Sequence, residues 1–246
     1  MPGARGDDEE RAVCGERSQA GDFDLWLLSL SWGPSFCCHK GKAKQCEQQG
    51  LVGANSLTVH GLWPSYSAPR EDGRTYPEYC EELTAAANKA GVRLQGLAKY
   101  EWKKHGSCSG LGAARYMEES ARLLRENPEV RALEQLLDKH KGAIVETKAL
   151  ATGPHVVVSS SPLCQIKEIT FCFRRDEGGV GEPVPCPAHL ARGPRNSASR
   201  ACSRLVVDEA SRCQIVSAHL HELLKAEAEA KAKGKGKGKG KGSGKG

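Results

Sequence analysis

What the chain lacks narrows it first. No run of about 18 apolar residues occurs anywhere in its 246 residues, which excludes a membrane-spanning helix. Residues 1–24, MPGARGDDEERAVCGERSQAGDFD, are polar and acidic and hold no apolar stretch that could act as a secretion signal. No Asn is followed two residues on by Ser or Thr, so there is no N-glycosylation acceptor. Neither HExxH nor a pair of CxxC motifs occurs, which removes the common zinc signatures. No internal repeat is found. The body also lacks net charge. The chain carries +6, but eight Lys against two Glu from Lys225 onward supply the whole excess. A basic body that would hold a polyanion by field alone is therefore ruled out.

Cysteine, by contrast, is abundant. Eleven residues, at 14, 37, 38, 46, 80, 108, 164, 172, 186, 202 and 213, are spread along the chain. This distribution favours a disulfide framework over a metal site, and hence an oxidising location: secreted, lumenal, vacuolar or periplasmic. An odd count leaves one thiol over in a monomer, and Cys14 in the polar leader is the candidate.

Periodicity sketches the fold. In LWLLSLSW (25–32), Trp26, Leu28, Leu30 and Trp32 alternate, which predicts a strand that Gly33-Pro34 ends. Residues 35–56 read as a disulfide-held loop. A short strand at 57–60 is expected to stop at Gly61 and Pro64. Helical patterns cover about 78–90, 97–106, 113–126 and 128–140, with Asn127-Pro128 separating the last two. In 113–126, Met117, Ala121 and Leu124 recur at helical spacing. Strands are expected at 155–159, 166–173 and 204–207. Strands flanking a block of helices favour an α+β fold. Three regions follow: a polar leader at 1–22, one folded domain at 23–222, and a Lys/Gly-rich tail at 223–246. Alternating Lys-Gly cannot bury a core; it reads as a solvated end that can contact polyanions.

Two segments carry chemistry: LTVHGLWPSY (57–66) and KYEWKKHGSC (99–108). If 100–105 is helical, Glu101 and His105 share a face with Lys104 beside them. His60 adds a second imidazole. A pair of histidines suits general acid–base catalysis of phosphodiester transfer, because an ordinary pKa of ~6.5 keeps both forms accessible. On residue chemistry alone, an exposed ion-pair cluster or a turn with a core Trp accounts for the same residues.

HGLWP and ExxKHGxC, in this order and about forty residues apart, resemble the two active-site signatures of the ribonuclease T2 family, the base-nonspecific acid ribonucleases. LSLSW at 28–32 and IKEITFC at 166–172 extend the resemblance to roughly residues 21–216. It implies a single α+β domain with a central, largely antiparallel sheet flanked by helices and stapled by disulfides. It also implies a metal-independent endoribonuclease, without cofactor and monomeric. Such an enzyme cleaves single-stranded RNA through the 2′-hydroxyl to a 2′,3′-cyclic phosphate and then a 3′-phosphate. His60 corresponds to the general acid, His105 to the general base, and Glu101 and Lys104 to the pair that stabilises the phosphorane. Trp63 corresponds to a residue that stacks on or borders a base, and a hydrophobic anchor for the Pro64 turn is its alternative role. Two positions depart from the pattern. Tyr100 stands where many members have a phosphate-binding His, and Ser65 where many have a base-contacting Asp. The resemblance pairs Cys80 with Cys108, Cys172 with Cys202 or Cys213, and Cys186 with one of these.

Two other readings compete. A family member could bind RNA without turning it over, which the intact His60/His105 pair argues against. A zinc-binding structural role would use Cys37, Cys38, His39 and Cys46, for which adjacent Cys-Cys is poor tetrahedral spacing.

Overall fold

The strand β1 (Leu25–Trp32) is an inner strand of the main sheet, and its alternation decides what packs where. Trp26, Leu28, Leu30 and Trp32 point to one face and are at most 1% exposed. On its two sides run β2 (Leu57–Ser65) and β5 (Ile166–Asp176), both antiparallel to it. Leu28 pairs with Leu62 on one side and Phe171 on the other, so the same face stays apolar across three strands. The strand β4 (Val156–Ser160) completes the order β2-β1-β5-β4, and β6 (Gly179–Pro183) folds back on β5 as a hairpin. The computed structural model describes residues 18–40, 56–80, 96–161, 163–191 and 202–209.

Helices cover the apolar face. After β1 comes α1 (Gly33–Lys40); α2 (Gly96–Lys104) precedes a single 3-10 turn, Gly106–Cys108. Then α3 (Ala113–Glu126) and α4 (Pro128–Lys139) follow one another directly. Asn127 explains the joint: its side chain caps α4 by accepting from Glu129 N at 2.9 Å and Val130 N at 3.2 Å, with Pro128 next in line. Val130, Leu133 and Leu137 from α4 and Tyr116 and Leu123 from α3 fill the core. A two-stranded ribbon, β3 (Ile144–Glu146) with β7 (Arg204–Val206), and the short helices α5 (Thr147–Leu150) and α6 (Ala188–Ala191) complete the described elements. No described helix is long and apolar enough to cross a membrane.

The α+β class and the antiparallel sheet agree with the sequence. Several particulars do not. Residues 33–40 form a helix rather than the start of a loop. The strand expected to stop at Gly61 continues to Ser65, because both residues that should end it are absorbed at the sheet's end strand. In α3 the buried stripe is Tyr116, Ser120 and Leu123, one residue behind the expected one; Ser120 hides its hydroxyl by donating to Tyr116 O at 2.8 Å. The helix expected over about 78–90 is absent at 78–80, and its remainder lies outside the described residues. So do the leader up to residue 17 and everything from 210 on, including Cys14, Cys213 and the Lys-Gly tail.

The disulfides need a correction. Cys80–Cys108 forms as the resemblance implies. Cys172, however, pairs with Cys186, and Cys202 pairs with Cys164. The hairpin explains the first, since Val184 N bonds Cys172 O and brings the chain at 186 back over β5. The second follows from Val206 N bonding Cys164 O, which lays the β7 strand beside residue 164. Cys37 and Cys38 are also disulfide-bonded, so neither is available as a zinc thiolate.

Candidate active site

His60 owes its position to an irregularity. Along β2, Gly61 pairs with Ser29 and Val59 with Leu30, so His60 is one residue too many: a β-bulge. The extra residue changes the alternation. Leu57 and Val59 face the core before it, and Leu62 faces the core after it. In a regular strand Leu62 would share a face with His60. The bulge thus turns His60, Gly61 and Trp63 outward while keeping three apolar neighbours inside.

The second segment arrives on α2. His105 N bonds Glu101 O at 2.9 Å, so the two side chains lie one turn apart as the spacing predicts. Trp102, 1% exposed, anchors the helix in the core edge-on to Tyr116 at 5.5 Å between ring centroids. Just beyond, a loop is tied to the helix end. Tyr79 N donates to Lys104 O at 3.0 Å, Cys80 N to Ser107 Oγ at 3.2 Å, and Cys80–Cys108 makes the tie covalent.

Trp63 joins the two halves. Its indole N–H donates to Glu101 Oε2 at 2.7 Å, and its ring centroid lies 5.2 Å from His60 and 5.2 Å from His105. This approach requires a glycine at 61. A Cβ there would stand 2.2 Å from Trp63 Nε1 and 2.6 Å from Glu101 Oε2. The other oxygen, Glu101 Oε1, is 3.7 Å from His60 Nε2. The Lys104 ammonium sits 5.5 Å from the Tyr76 ring centre and 5.9 Å from that of Tyr100, which is half exposed.

Electrostatics separate the two histidines. The hydrogen bond with Glu168 raises the His60 pKa above its ordinary value; burial opposes this, the charges of Glu168 and Glu101 reinforce it, and Lys104 opposes it. His105 goes the other way. Burial, then the Lys104 ammonium and His60, push it down to about 3. Its Nδ1 is buried without a hydrogen-bond partner among the described residues. Burial raises the Glu101 carboxyl above its usual range despite the Trp63 N–H. For Lys104, burial works against the charge, but Tyr76, Tyr100 and Glu78 outweigh it and the pKa is raised. Among the described residues no group of three or more His, Cys, Asp and Glu is arranged to hold a metal ion.

All six residues singled out from the two motifs therefore meet in one place, with Tyr100 at the rim. Two more were missed. Tyr76 packs its ring 5.3 Å from that of His105. Glu168 on β5 meets His60 Nδ1 at 2.9 Å. Neither carries a local signal; Glu168 is one polar residue in an alternating strand, and only the sheet register reveals its reach.

Comparison with known proteins bears on this site. Residues 23–141 match the sequence profile of the ribonuclease T2 family, a span that holds His60, Glu101, Lys104 and His105 and ends before Glu168. A ribonuclease of Aeromonas hydrophila is 38% identical over 102 residues, 39% of this chain and 42% of that protein. Ribonuclease I of Escherichia coli (strain K12) is 28% identical over 169 residues, 52% of this chain and 63% of that protein. Among solved structures, an RNase-related protein from Calystegia sepium shares the fold. Its TM-score is 0.53 at 20% identity, over 76% of this chain and 97% of its own.

Proposed function

Because residues 23–141 match the ribonuclease T2 profile, we propose that the chain is a member of that family and a metal-independent endoribonuclease acting on single-stranded RNA. His60 and His105 are its acid and base. The observation that carries this reading is two imidazoles, each 5.2 Å from Trp63, in contrasting surroundings: His60 Nδ1 is held by Glu168, while His105 Nδ1 is buried without a partner among the described residues, which drives their pKa values apart. Paired titratable groups whose environments push them apart divide into an acid and a base.

His105, kept neutral by burial, takes the proton of the ribose 2′-hydroxyl. The phosphate's negative charge, once bound beside it, raises its basicity. The 2′-oxygen attacks the adjacent phosphorus, an intramolecular step with a large proximity advantage over external water. Protonated His60 gives its Nε2 proton to the departing 5′-oxygen, leaving a 2′,3′-cyclic phosphate. In the second step the roles reverse, and water opens the ring to a 3′-phosphate. The Lys104 ammonium and the Glu101 carboxyl stabilise the charge that builds on the phosphoryl oxygens. Trp63, Tyr76 and Tyr100 offer ring faces on which bases of any identity can stack. The three described disulfides suit an oxidising compartment.

The test uses a dinucleotide and its 2′-deoxy counterpart. The ribonucleotide is cut with early accumulation of the cyclic phosphate, the deoxy compound binds uncut, and EDTA leaves the rate unchanged. His60→Ala and His105→Ala each lower kcat by about 10²–10⁴-fold with a native circular dichroism spectrum. Comparable cleavage of DNA, or products ending in a 3′-hydroxyl, overturns the proposal.

A further inference from the structure

The geometry points to Glu168 as a positioning residue for this reaction: it holds the His60 ring by Nδ1 so that Nε2, on the Glu101 side, is the proton donor. The inference rests on the function proposed above but lies outside the matched span.

Glu168 and His60 are not neighbours in the sheet. They sit on β5 and β2, with β1 between them. Strands lie about 4.8 Å apart, so the link must cross about 10 Å. What lets it cross is the face of β1 that it passes over. Ser29 pairs with Gly61 on one side and Thr170 on the other. Glu168 is two residues from Thr170, hence on that same face, and the bulge turns His60 to it as well. Ser31, opposite Thr58, continues the row. Two serines under the bond leave room for an imidazole and a carboxylate to lean together, where leucines would part them.

The bond is also chemically directed. Nδ1 is taken at 2.9 Å by Glu168 Oε2, whereas Nε2 lies 3.7 Å from Glu101 Oε1, beyond hydrogen-bond distance. Nε2 is therefore left for substrate, on a side chain 36% exposed. The charged and titratable groups facing the ring are Glu168 from β5, and Glu101, Lys104 and His105 from the α2 segment. A carboxylate at Nδ1 fixes the ring orientation and keeps the Nδ1 proton in place. When His60⁺ gives its Nε2 proton to the 5′-oxygen, the neutral Nδ1–H tautomer remains, still hydrogen-bonded to Glu168. That tautomer presents a bare Nε2 to the second step. There water's oxygen bonds phosphorus, water's proton goes to Nε2, and His105 returns its proton to the 2′-oxygen. One contact thus supplies the ring state that both steps need.

The experiment compares Glu168→Gln with the parent on uridylyl-adenosine and on uridine 3′-(4-nitrophenyl phosphate). Nitrophenolate leaves without protonation, so the aryl ester does not need the acid. Glutamine keeps shape and a hydrogen bond but not the charge. The expected result is a loss in kcat of about tenfold to a hundredfold on the dinucleotide, part of what a general acid contributes. KM stays near parental, and the aryl ester is turned over at close to the parental rate. In NMR titration the His60 midpoint falls, and the basic limb of kcat/KM falls with it. Equal losses on both substrates would make Glu168 merely structural, and an unmoved His60 midpoint would remove it from the site; either overturns the proposal. His60→Ala on the dinucleotide keeps the two readings apart. Full activity there defeats the catalytic assignment itself, whereas an inactive His60→Ala beside a fully active Glu168→Gln defeats only this one.

Discussion

Replacing Gly61 by Ala puts one methyl group where the site has no space, and the consequence can be worked through. Its Cβ would stand 2.2 Å from Trp63 Nε1, 2.9 Å from Trp63 Cδ1 and 2.6 Å from Glu101 Oε2. Unstrained heavy-atom contacts lie near 3.5–4.0 Å, so both must give way, the indole by more than about 1 Å and the carboxylate by about 1 Å. Displacing the two ends of the 2.7 Å bond around a methyl group disrupts it. A hydrogen bond to a charged group contributes about 1.5–3 kcal/mol, and overpacking costs about 1–3 kcal/mol more. If the bond holds Glu101 in place only as charge develops in the transition state, losing 1.5–3 kcal/mol there corresponds to about 10–150-fold in kcat. Urea unfolding, kcat on homopolymeric RNA and tryptophan fluorescence read the three effects together. Gly73→Ala is the control, because that residue has a φ of +82° but nothing within 4 Å of an added Cβ. It should cost about 1–2 kcal/mol from backbone conformation alone and leave kcat intact. A Gly61→Ala protein with parental kcat and a stability loss no greater than the control would refute the close-packed linkage of Trp63 with Glu101.

Three further outcomes are expected. The pH profile of kcat/KM should be broad: its acid limb follows loss of neutral His105 near pH 3, and its basic limb, following loss of protonated His60, lies above 6.5. A steep fall in activity between pH 6 and pH 5 would contradict the depressed His105. Tyr100→His should lower KM at acid pH more than at pH 8, since an imidazolium near Lys104 adds charge for phosphate; an unchanged KM at both would place residue 100 out of phosphate reach. Replacing Cys80 and Cys108 by Ala should destabilise the fold by about 3–4 kcal/mol, the loop-entropy value for their separation of 28 residues, and thermal unfolding that moves little would mean the loop is held by its hydrogen bonds.

The sequence was legible where one signal acted alone. The alternation of Trp26, Leu28, Leu30 and Trp32 defines β1, and the Asn127-Pro128 cap places the joint between α3 and α4 to the residue. It was misleading where tertiary context outweighs a local breaker. Gly61 and Pro64 read as the end of a strand, yet one admits Trp63 to Glu101 and the other rides on the sheet's last strand. The motif residues came together as the spacing and the resemblance implied. Glu168 could not be found that way, because its partner is 108 residues distant and separated from it by a whole strand. Cys80–Cys108 was found, but the partners of Cys172 and Cys202 were missed for the same reason: Cys172–Cys186 depends on the β5–β6 hairpin, which no periodicity announced.

The position of β2 at the end of the sheet has a consequence unrelated to turnover. Among the described residues no strand lies outside β2, and the row of backbone donors and acceptors along a terminal strand is a template on which another chain can assemble. Proteins blunt such rows with proline, irregular spacing or short length. Here Pro64 offers no N–H, and the surplus residue at His60 breaks the even spacing between Val59 and Gly61. The stretch that holds the reactive imidazole is thus also poorly suited to strand addition. Restoring a regular, proline-free β2 would cost more than the chemistry; it would leave an edge open to self-association.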